Sequence, residues 1–578
     1  MKLSSRLRSR FGIGILSACL SLLLSQGCTH VKGGSTPIDS DHLVTGKNGV
    51  VVSVSAPASE VGLTILKQGG NAVDAAVATA FALAVSYPLA GNIGGGGFML
   101  VHPGAGGGES TSFDYRETAP ATAYPTMFTR EESQFTHRAV AVPGTVRGLE
   151  LAHRRFGTLP WAQLILPAVA LAREGFAVDS SLAKTLNETL ADARDFAEFQ
   201  RVFGKPGGGL WKSGDRLVQP DLARSLQFIA DLGADAFYGG PIAKELVAEM
   251  VRGKGLITAS DLSAYQAIER KPLMTRYRGQ YDVYVPPPPS SGGVCLLEEL
   301  NILDTFNLGA SDRWSAPTFH VMAEAMRRAN YDRARYMGDP AYVNIPTHLT
   351  THDYGKQLAS TIDLNRATQS KTLADDMPLS PESESTTHFS VIDRQGMAVS
   401  NTFTLERRWG SRIVVRNMGF LLNNQMRAFN LFPGVTDAKG TIGTLPNLIA
   451  PGKRPISSMT PTIVARGGKV ILVTGSPGSR AIPHTVLCIL VNLYDFGMTL
   501  QQAVDSPRFS QEWFPDHISF EARDQYPETM KALGAMGHAI VAPGPLPFQG
   551  DAHSIWVDER GGYVGVADRR ISGKASGY

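Results

Sequence analysis

The sequence predicts a loop-rich fold that mixes helices with strands, of the α/β kind, and three observations carry the prediction. Of 578 residues, 60 are glycine and 35 proline, a content that suits many tight turns and opposes coiled coils and helical repeats. Apolar residues make up 43% and charged residues 19%, ample for a sizeable core in one large intertwined body or in several ordinary domains. From Thr386 the texture changes abruptly, from helical spacing and irregular chain to the apolar–polar alternation of strands.

The formal charge of +3 belongs to a leader. Lys2, Arg6, Arg8 and Arg10 face no acid in the first 27 residues, so removing these four charges leaves the rest of the chain at −1. A near-neutral body without a long basic run excludes an electrostatic footprint for nucleic acid. The apolar run Phe11–Leu24 is shorter than the roughly 20 residues that span a bilayer as a helix. Behind a basic start it reads as an export signal over residues 1–27. Its Ser-Gln-Gly-Cys end resembles a bacterial lipoprotein signal, which implies acylation of Cys28, although Ser25 and Gln26 depart from the usual residues. The expected location is the bacterial envelope or periplasm, with a lipid anchor as the only membrane attachment. Polar residues 28–48 read as a tether.

Four cysteines are present, Cys19, Cys28, Cys295 and Cys488. The last two lie in apolar helical contexts without metal-site spacing, and are expected as buried free thiols rather than a bridge.

Along the body, Val50–Ser55 reads as a first strand and Ser59–Gln68 as a helix ended by Gly69-Gly70. Asn71 is placed to cap a helix over Ala72–Val85, whose small apolar side chains predict burial on every face. The glycine loop within Gly91–His102 leads into a strand, and lacks the setting of a dinucleotide fingerprint. Apolar residues at 146, 149, 152 and 156 predict a helix with Thr145 as N-cap. Further helices are expected at 161–174, 217–232, 241–252, 293–304 and 315–337. Val285–Gly293 reads as a proline segment entering a glycine turn. Residues 365–386 lack hydrophobic periodicity and should be exposed and mobile.

Two alternating runs, TTHFSVI and AVSNTFTL, flank the turn DRQGM and predict a hairpin. A three-residue loop Arg394-Gln395-Gly396 places its glycine at the left-handed position. Asp393 then pairs with Met397, and Thr386 falls opposite Thr404; a slip of one residue would reverse the faces. A threonine hydroxyl needs a base before it attacks, and a free amine on the same residue can supply it. Cleavage between Ser385 and Thr386 would create that amine, with Thr404 hydrogen-bonding the hydroxyl. Further on, Val470–Thr474 reads as a strand, Gly475–Ser479 as a tight loop and Ile482–Tyr494 as a helix. Backbone N–H groups at such a loop suit an oxyanion, and the missing Lys-Ser/Thr ending speaks against nucleotide phosphate.

The ordered motifs GGNAVDAAVATAFAL, GNIGGGGFML, FDYRETAP, AVPGTVRGL, PPPPSSGG, TTHFSVID, NNQM, KRPISSMTPTIV, TGSPGS and terminal SGY cover about residues 48–578. With them the chain resembles the gamma-glutamyltranspeptidase (glutathione hydrolase) family of N-terminal nucleophile hydrolases. The resemblance implies an α+β fold, a four-layer αββα sandwich, cut into a large subunit 49–385 and a small subunit 386–578. It implies acyl transfer from γ-glutamyl compounds such as glutathione, through a threonyl ester, to water or to an amino acid or peptide, with no cofactor or metal. By motif, Thr386 would be the nucleophile, Thr404 its hydroxyl partner, and Gly478 and Ser479 the oxyanion donors. Arg116, Ser457 and Ser458 would hold the substrate α-carboxylate, and Gln425 would help to hold the amino end.

Two departures touch recognition. The aspartate that the family places after Gln425 to take the α-ammonium is Ala428 here, beside Arg427. The asparagine that follows the Thr404-Leu405 pair is Glu406, which on a continuing strand would face the side of Thr404 and reach the vacated space. The alternatives are an amidohydrolase of the same fold with another acyl preference, such as glutaryl, and an uncleaved, non-catalytic binding protein.

Overall fold

The computed structural model describes residues 41–104, 107–373, 386–439, 441–544 and 548–578. Two seven-stranded sheets form its centre. The first runs in the order Lys574–Gly577 (β14), Gly49–Ser53 (β2), Thr387–Asp393 (β8), Ala398–Thr404 (β9), Gly96–His102 (β3), Thr111–Asp114 (β4) and Ile268–Arg270 (β5). The second runs Leu43–Gly46 (β1), Tyr563–Ala567 (β13), His553–Val557 (β12), Lys469–Thr474 (β11), Thr462–Arg466 (β10), Tyr281–Val285 (β7) and Leu273–Tyr277 (β6).

The strand period of two distributes the core. Val50, Val52, Leu100, Ile392 and Ala398 of the first sheet meet Ile463, Val473 and Ile555 of the second in a layer between the sheets. The alternate residues Val51, Met99, Phe389, Val391, Val399 and Phe403 turn outward into a helical layer. That layer contains Ala56–Lys67 (α1), Ala72–Ser86 (α2), Thr145–Phe156 (α3), Trp161–Glu174 (α4), Pro220–Leu232 (α5) and Pro241–Gly253 (α6). On the opposite side Val283, Val464 and Leu472 pack against Ser291–Leu303 (α7), Ala316–Tyr336 (α8) and Ile482–Tyr494 (α9). Helix, sheet, sheet and helix make the four-layer αββα sandwich.

Local signals mostly hold. Asn71 caps α2, its Oδ1 accepting from Val73 N at 2.9 Å and Asp74 N at 3.0 Å, while Asp74 reaches back to Asn71 N. Every residue of α2 is buried. The hairpin has the expected register, with Thr387 opposite Phe403 and Ile392 opposite Ala398, and Gly396 is left-handed at φ +75°. Cys295 and Cys488 are buried free thiols.

Several expectations need correction. The folded body begins before the end of the expected tether 28–48, because β1 (Leu43–Gly46) already pairs with β13. Thr145 lies inside α3, after Gly144, and its hydroxyl donates to Asn92 Oδ1 at 2.8 Å instead of capping. Gly292 and Gly293 belong to the first turn of α7, capped by Ser290 Oγ, and not to a turn. Of 365–386, residues 365–373 are partly packed: Ser370 is buried, and its N–H donates to Asp516 at 2.7 Å. Residues 374–385, the leader 1–27 and Cys28 lie outside the described residues. Among those described, no helix is long and apolar enough to cross a membrane.

Candidate active site

Thr386 stands one residue before β8, where continuation of the hairpin register sets it against Thr404, the last residue of β9. The hairpin is anchored at its far end by Asp393. Its Oδ1 accepts from Gln395 N at 2.8 Å and Met397 N at 3.1 Å, and its Oδ2 from Ala72 N at 2.9 Å. Thr404 is pinned from the glycine loop: its carbonyl accepts from Asn92 Nδ2 at 3.0 Å, and Asn92 Oδ1 accepts from Gly95 N at 2.8 Å. A Cβ on Gly95 would lie 1.9 Å from that carbonyl, so the run of glycines is a close approach of backbones and not a flexible turn.

Thr386 lines a narrow cleft together with Thr404, Arg116, Glu406, Ser457, Ser458 and Ser479. Arg116 follows β4 and is 2% exposed. Its Nε donates to Pro455 O at 3.2 Å, one terminal nitrogen to Ile456 O at 2.8 Å and the other to Glu117 at 3.2 Å. The segment that braces Arg116 therefore continues directly into Ser457 and Ser458. That segment is itself seated on α7, where Ser291 N and Gly292 N donate to Ser457 O at 2.7 and 3.2 Å. A side chain on Gly292 would meet Ser458 O at 2.2 Å.

Glu406 reaches the cleft by a route other than the expected one. The strand ends at Thr404, and Glu406 takes a left-handed backbone, φ +81°, with its N–H donating to Thr404 Oγ at 2.8 Å. Asn424 brackets the turn, its N–H donating to Leu405 O at 3.0 Å and its Oδ1 accepting from Arg407 N at 3.1 Å. Gln425 is fully buried behind Glu406 and donates from Nε2 to its carboxylate at 2.7 Å, so it holds Glu406 and does not itself line the cleft. Ala428 does line it, whereas Arg427 lies over the ring of Phe128 at 5.1 Å.

Beyond β11, Gly478 (φ +132°) and Ser479 (φ +55°) turn the chain toward α9. Ser479 borders the cleft, and Gly478 borders a second cavity that also opens on Thr386. Each of the two cavities that Thr386 lines is thus also bordered by one of these residues.

Sequence reasoning missed Arg333. From α8 it donates through Nε to Ser291 Oγ at 3.0 Å and through a terminal nitrogen to Ser458 Oγ at 3.4 Å, and it lines the cleft. An arginine near the end of a long helix carries no signal that separates it from a partner of the helix dipole.

Electrostatics set the protonation states. Burial pushes Glu117 up to about 7, against the pull of Arg116 and with a further push from Glu406. His388, two residues beyond Thr386, is fully buried between Thr402 Oγ at 2.9 Å and Ser390 Oγ at 3.1 Å. Burial and the neighbouring His553 hold it well below the ordinary histidine range. The neutral form is thereby favoured, and both ring nitrogens are engaged by hydroxyls.

Among the described residues, only His320, Glu324 and His538 bring three donor atoms close enough for a metal ion. Their hydrogen bonds are already committed: His320 bonds His538 and Asp363 O at 2.8 Å each, and Glu324 pairs with Arg327 and Arg328. A cation would have to compete with two guanidinium groups there.

A threonine immediately before a strand at the junction of two facing sheets, beside an arginine–serine cleft and a glycine turn, fits the architecture of an N-terminal nucleophile hydrolase. The model of the gamma-glutamyltranspeptidase family matches residues 58–578, and the chain belongs to that family. It is 44% identical over 550 residues to the glutathione hydrolase proenzyme of Escherichia coli (strain K12), covering 93% of each chain. It is also 37% identical to the acylase ACY 1 proenzyme of Pseudomonas sp. (strain V22), over 92% of this chain and 93% of that one. Among solved structures, cephalosporin acylase from Bacillus halodurans superposes with a TM-score of 0.82 at 26% identity, over 95% of this chain and 99% of that one.

Proposed function

We propose that the protein is an autoprocessed γ-glutamyl hydrolase and transpeptidase, acting on glutathione and related γ-glutamyl amides. The observation that carries this reading is the presence of opposite charges in one cleft: Arg116 and Glu406 both line it, together with Thr386, which also lines the second cavity. A glutamyl head group bears both an α-carboxylate and an α-ammonium. The guanidinium, Ser457 and Ser458 suit the carboxylate. A desolvated ammonium needs a nearby acid, and Glu406, held by Gln425, supplies one where Ala428 does not.

In this reading Thr386 Oγ first attacks the Ser385 carbonyl, and hydrolysis of the resulting ester frees the threonine amine. The precursor becomes a large subunit, 49–385, and a small subunit, 386–578. In turnover the amine takes the proton from Oγ as the hydroxyl attacks the γ-carbonyl. The oxyanion is met by the N–H groups of Gly478 and Ser479, and Thr404 orients the hydroxyl. The protonated leaving amine departs, and water or an acceptor amine resolves the ester. Export with a lipid anchor at Cys28 completes the proposal and rests on the leader alone.

A second reading is favoured by Ala428: an acylase taking glutaryl amides, which lack the α-amino group. The two separate on γ-glutamyl and glutaryl versions of one anilide, with the parent enzyme and Glu406→Gln. The γ-glutamyl reading expects the parent to prefer the γ-glutamyl anilide and the variant to lose on the order of tenfold or more on that substrate selectively. Equal losses on both, or a parent that prefers glutaryl, would overturn it.

A further inference from the structure

The second cavity beside Thr386 has a volume of about 330 Å³, and the mechanism above leaves it unused. It shares Thr386 and Gly478 with the reacting centre, and three arginines, Arg407, Arg408 and Arg412, line it. All three stand in the turn that follows β9. The turn is built to a fixed shape: Glu406, Trp409, Gly410 and Arg412 all take left-handed backbones. Trp409 is 1% exposed and wedged edge-on against Phe199 and Phe203, with ring centroids 5.5 and 5.1 Å away. Its backbone N–H donates to Leu89 O at 2.8 Å, and Ser411 N donates to Leu422 O at 2.9 Å. Arg412 lies over the face of Phe135 at 4.0 Å and is 3.8 Å from the exposed Asp192. Arg408 is exposed at the rim. Among the described residues that line it, Asp551 is the one acid; it is buried beside His553 at 3.4 Å, and burial raises its pKa. The described wall therefore carries more cationic than acidic side chains.

Geometry fixes what enters it. If the acyl head group sits in the Arg116 cleft, the scissile carbonyl lies at Thr386 and the Gly478–Ser479 turn. The leaving amine then emerges on the far side of the threonine, into this cavity. Its volume suits an amino acid or dipeptide. We infer that Arg407, Arg408 and Arg412 form the leaving-group site and bind the C-terminal carboxylate of the departing amino acid or peptide. An acceptor amine attacks along the path by which the leaving amine departs, so the same arginines hold the acceptor's carboxylate. No bond is made or broken by them; they position the amine. The inference rests on the proposed reaction but not on which acyl group the cleft prefers.

The test uses the mature enzyme and four amides: γ-glutamyl-Cys-Gly and glutaryl-Cys-Gly, each with a free C-terminal carboxylate or as its C-terminal amide. The reading is the ratio of kcat/KM for acid over amide within each acyl series. The parent is expected to favour the acid about tenfold or more, the scale of a charge-assisted contact. Arg408→Gln, at an exposed side chain, should cut that ratio at least about threefold, and Arg408→Gln with Arg412→Gln should bring it near one. A parent ratio near one, or a ratio unchanged in Arg408→Gln and in the double variant, overturns the inference. Turnover confined to the glutaryl series would overturn the γ-glutamyl reading and leave this ratio to decide the site; turnover in neither series overturns both.

Discussion

At the level of single residues, Glu117 and Glu406 mark where the sequence speaks and where it is silent. Position 406 could be named from the chain because a charged residue stood two places beyond Thr404, close to the vacated Ala428. Its route could not, since nothing in the sequence announces a glutamate with left-handed φ. Arg333 and Glu117 were invisible for another reason: both acquire their roles from partners distant in sequence or from burial. Glu117 yields a prediction with a definite sign. Its folded pKa is raised from the ordinary 4.5 to about 7, so the folded state binds the proton more tightly than the unfolded chain. The stabilisation is full at acidic pH and is lost as pH rises from 4.5 to about 7. Glu117→Gln should therefore flatten the pH dependence of the urea midpoint across that window. A slope as steep as the parent's would assign the effect to other groups.

At the level of elements, the hairpin β8–β9 was legible down to its register, because strict alternation and the Arg-Gln-Gly turn leave only one pairing that keeps Phe389 and Val391 on the helical side. The glycine loop before β3 was legible as a loop but not as a clamp, since four glycines read equally as freedom and as close packing. The distances separate the two. Gly95→Ala drives a methyl group into the carbonyl of Thr404, and is expected to cost about 1–3 kcal/mol or more and to abolish precursor cleavage. Gly396→Ala is the control. Its φ of +75° is strained for alanine, but a Cβ there meets nothing within 4 Å. It should cost about 1–2 kcal/mol and leave cleavage intact. Denaturation midpoints and denaturing gels of the two variants check both statements, and cleavage retained in Gly95→Ala would detach the clamp from the chemistry.

Across the whole molecule, composition and spacing gave mixed helices and strands but not their layering. The sandwich was expected only from ordered motifs resembling a family, because β2, β8 and β14 come together from distant parts of the chain. The C-terminal strands are tied in by a buried ionic network in which Arg508 and Arg570 contact Asp568 at 2.6 and 3.1 Å, and Arg570 contacts Glu521 at 2.6 Å. Burial alone would raise Asp568, yet the two guanidinium groups hold it well below the usual carboxylate range. With a lowered pKa, its stabilisation is present above the ordinary carboxylate range and is lost as pH falls through and below it. Asp568→Asn should cost about 3–5 kcal/mol at pH 7, by leaving buried guanidinium groups uncompensated, and less in acid. An equal loss at pH 7 and in acid would remove the network from the acid response. These layers converge on one threonine, and the most direct measurement is the N-terminal sequence of the smaller polypeptide in purified, matured protein. It is expected to begin Thr386-Thr387-His388, and Thr386→Ala is expected to remain a single, inactive chain; a different first residue, or a Thr386→Ala protein that is cut and active, would contradict Thr386 as the nucleophile.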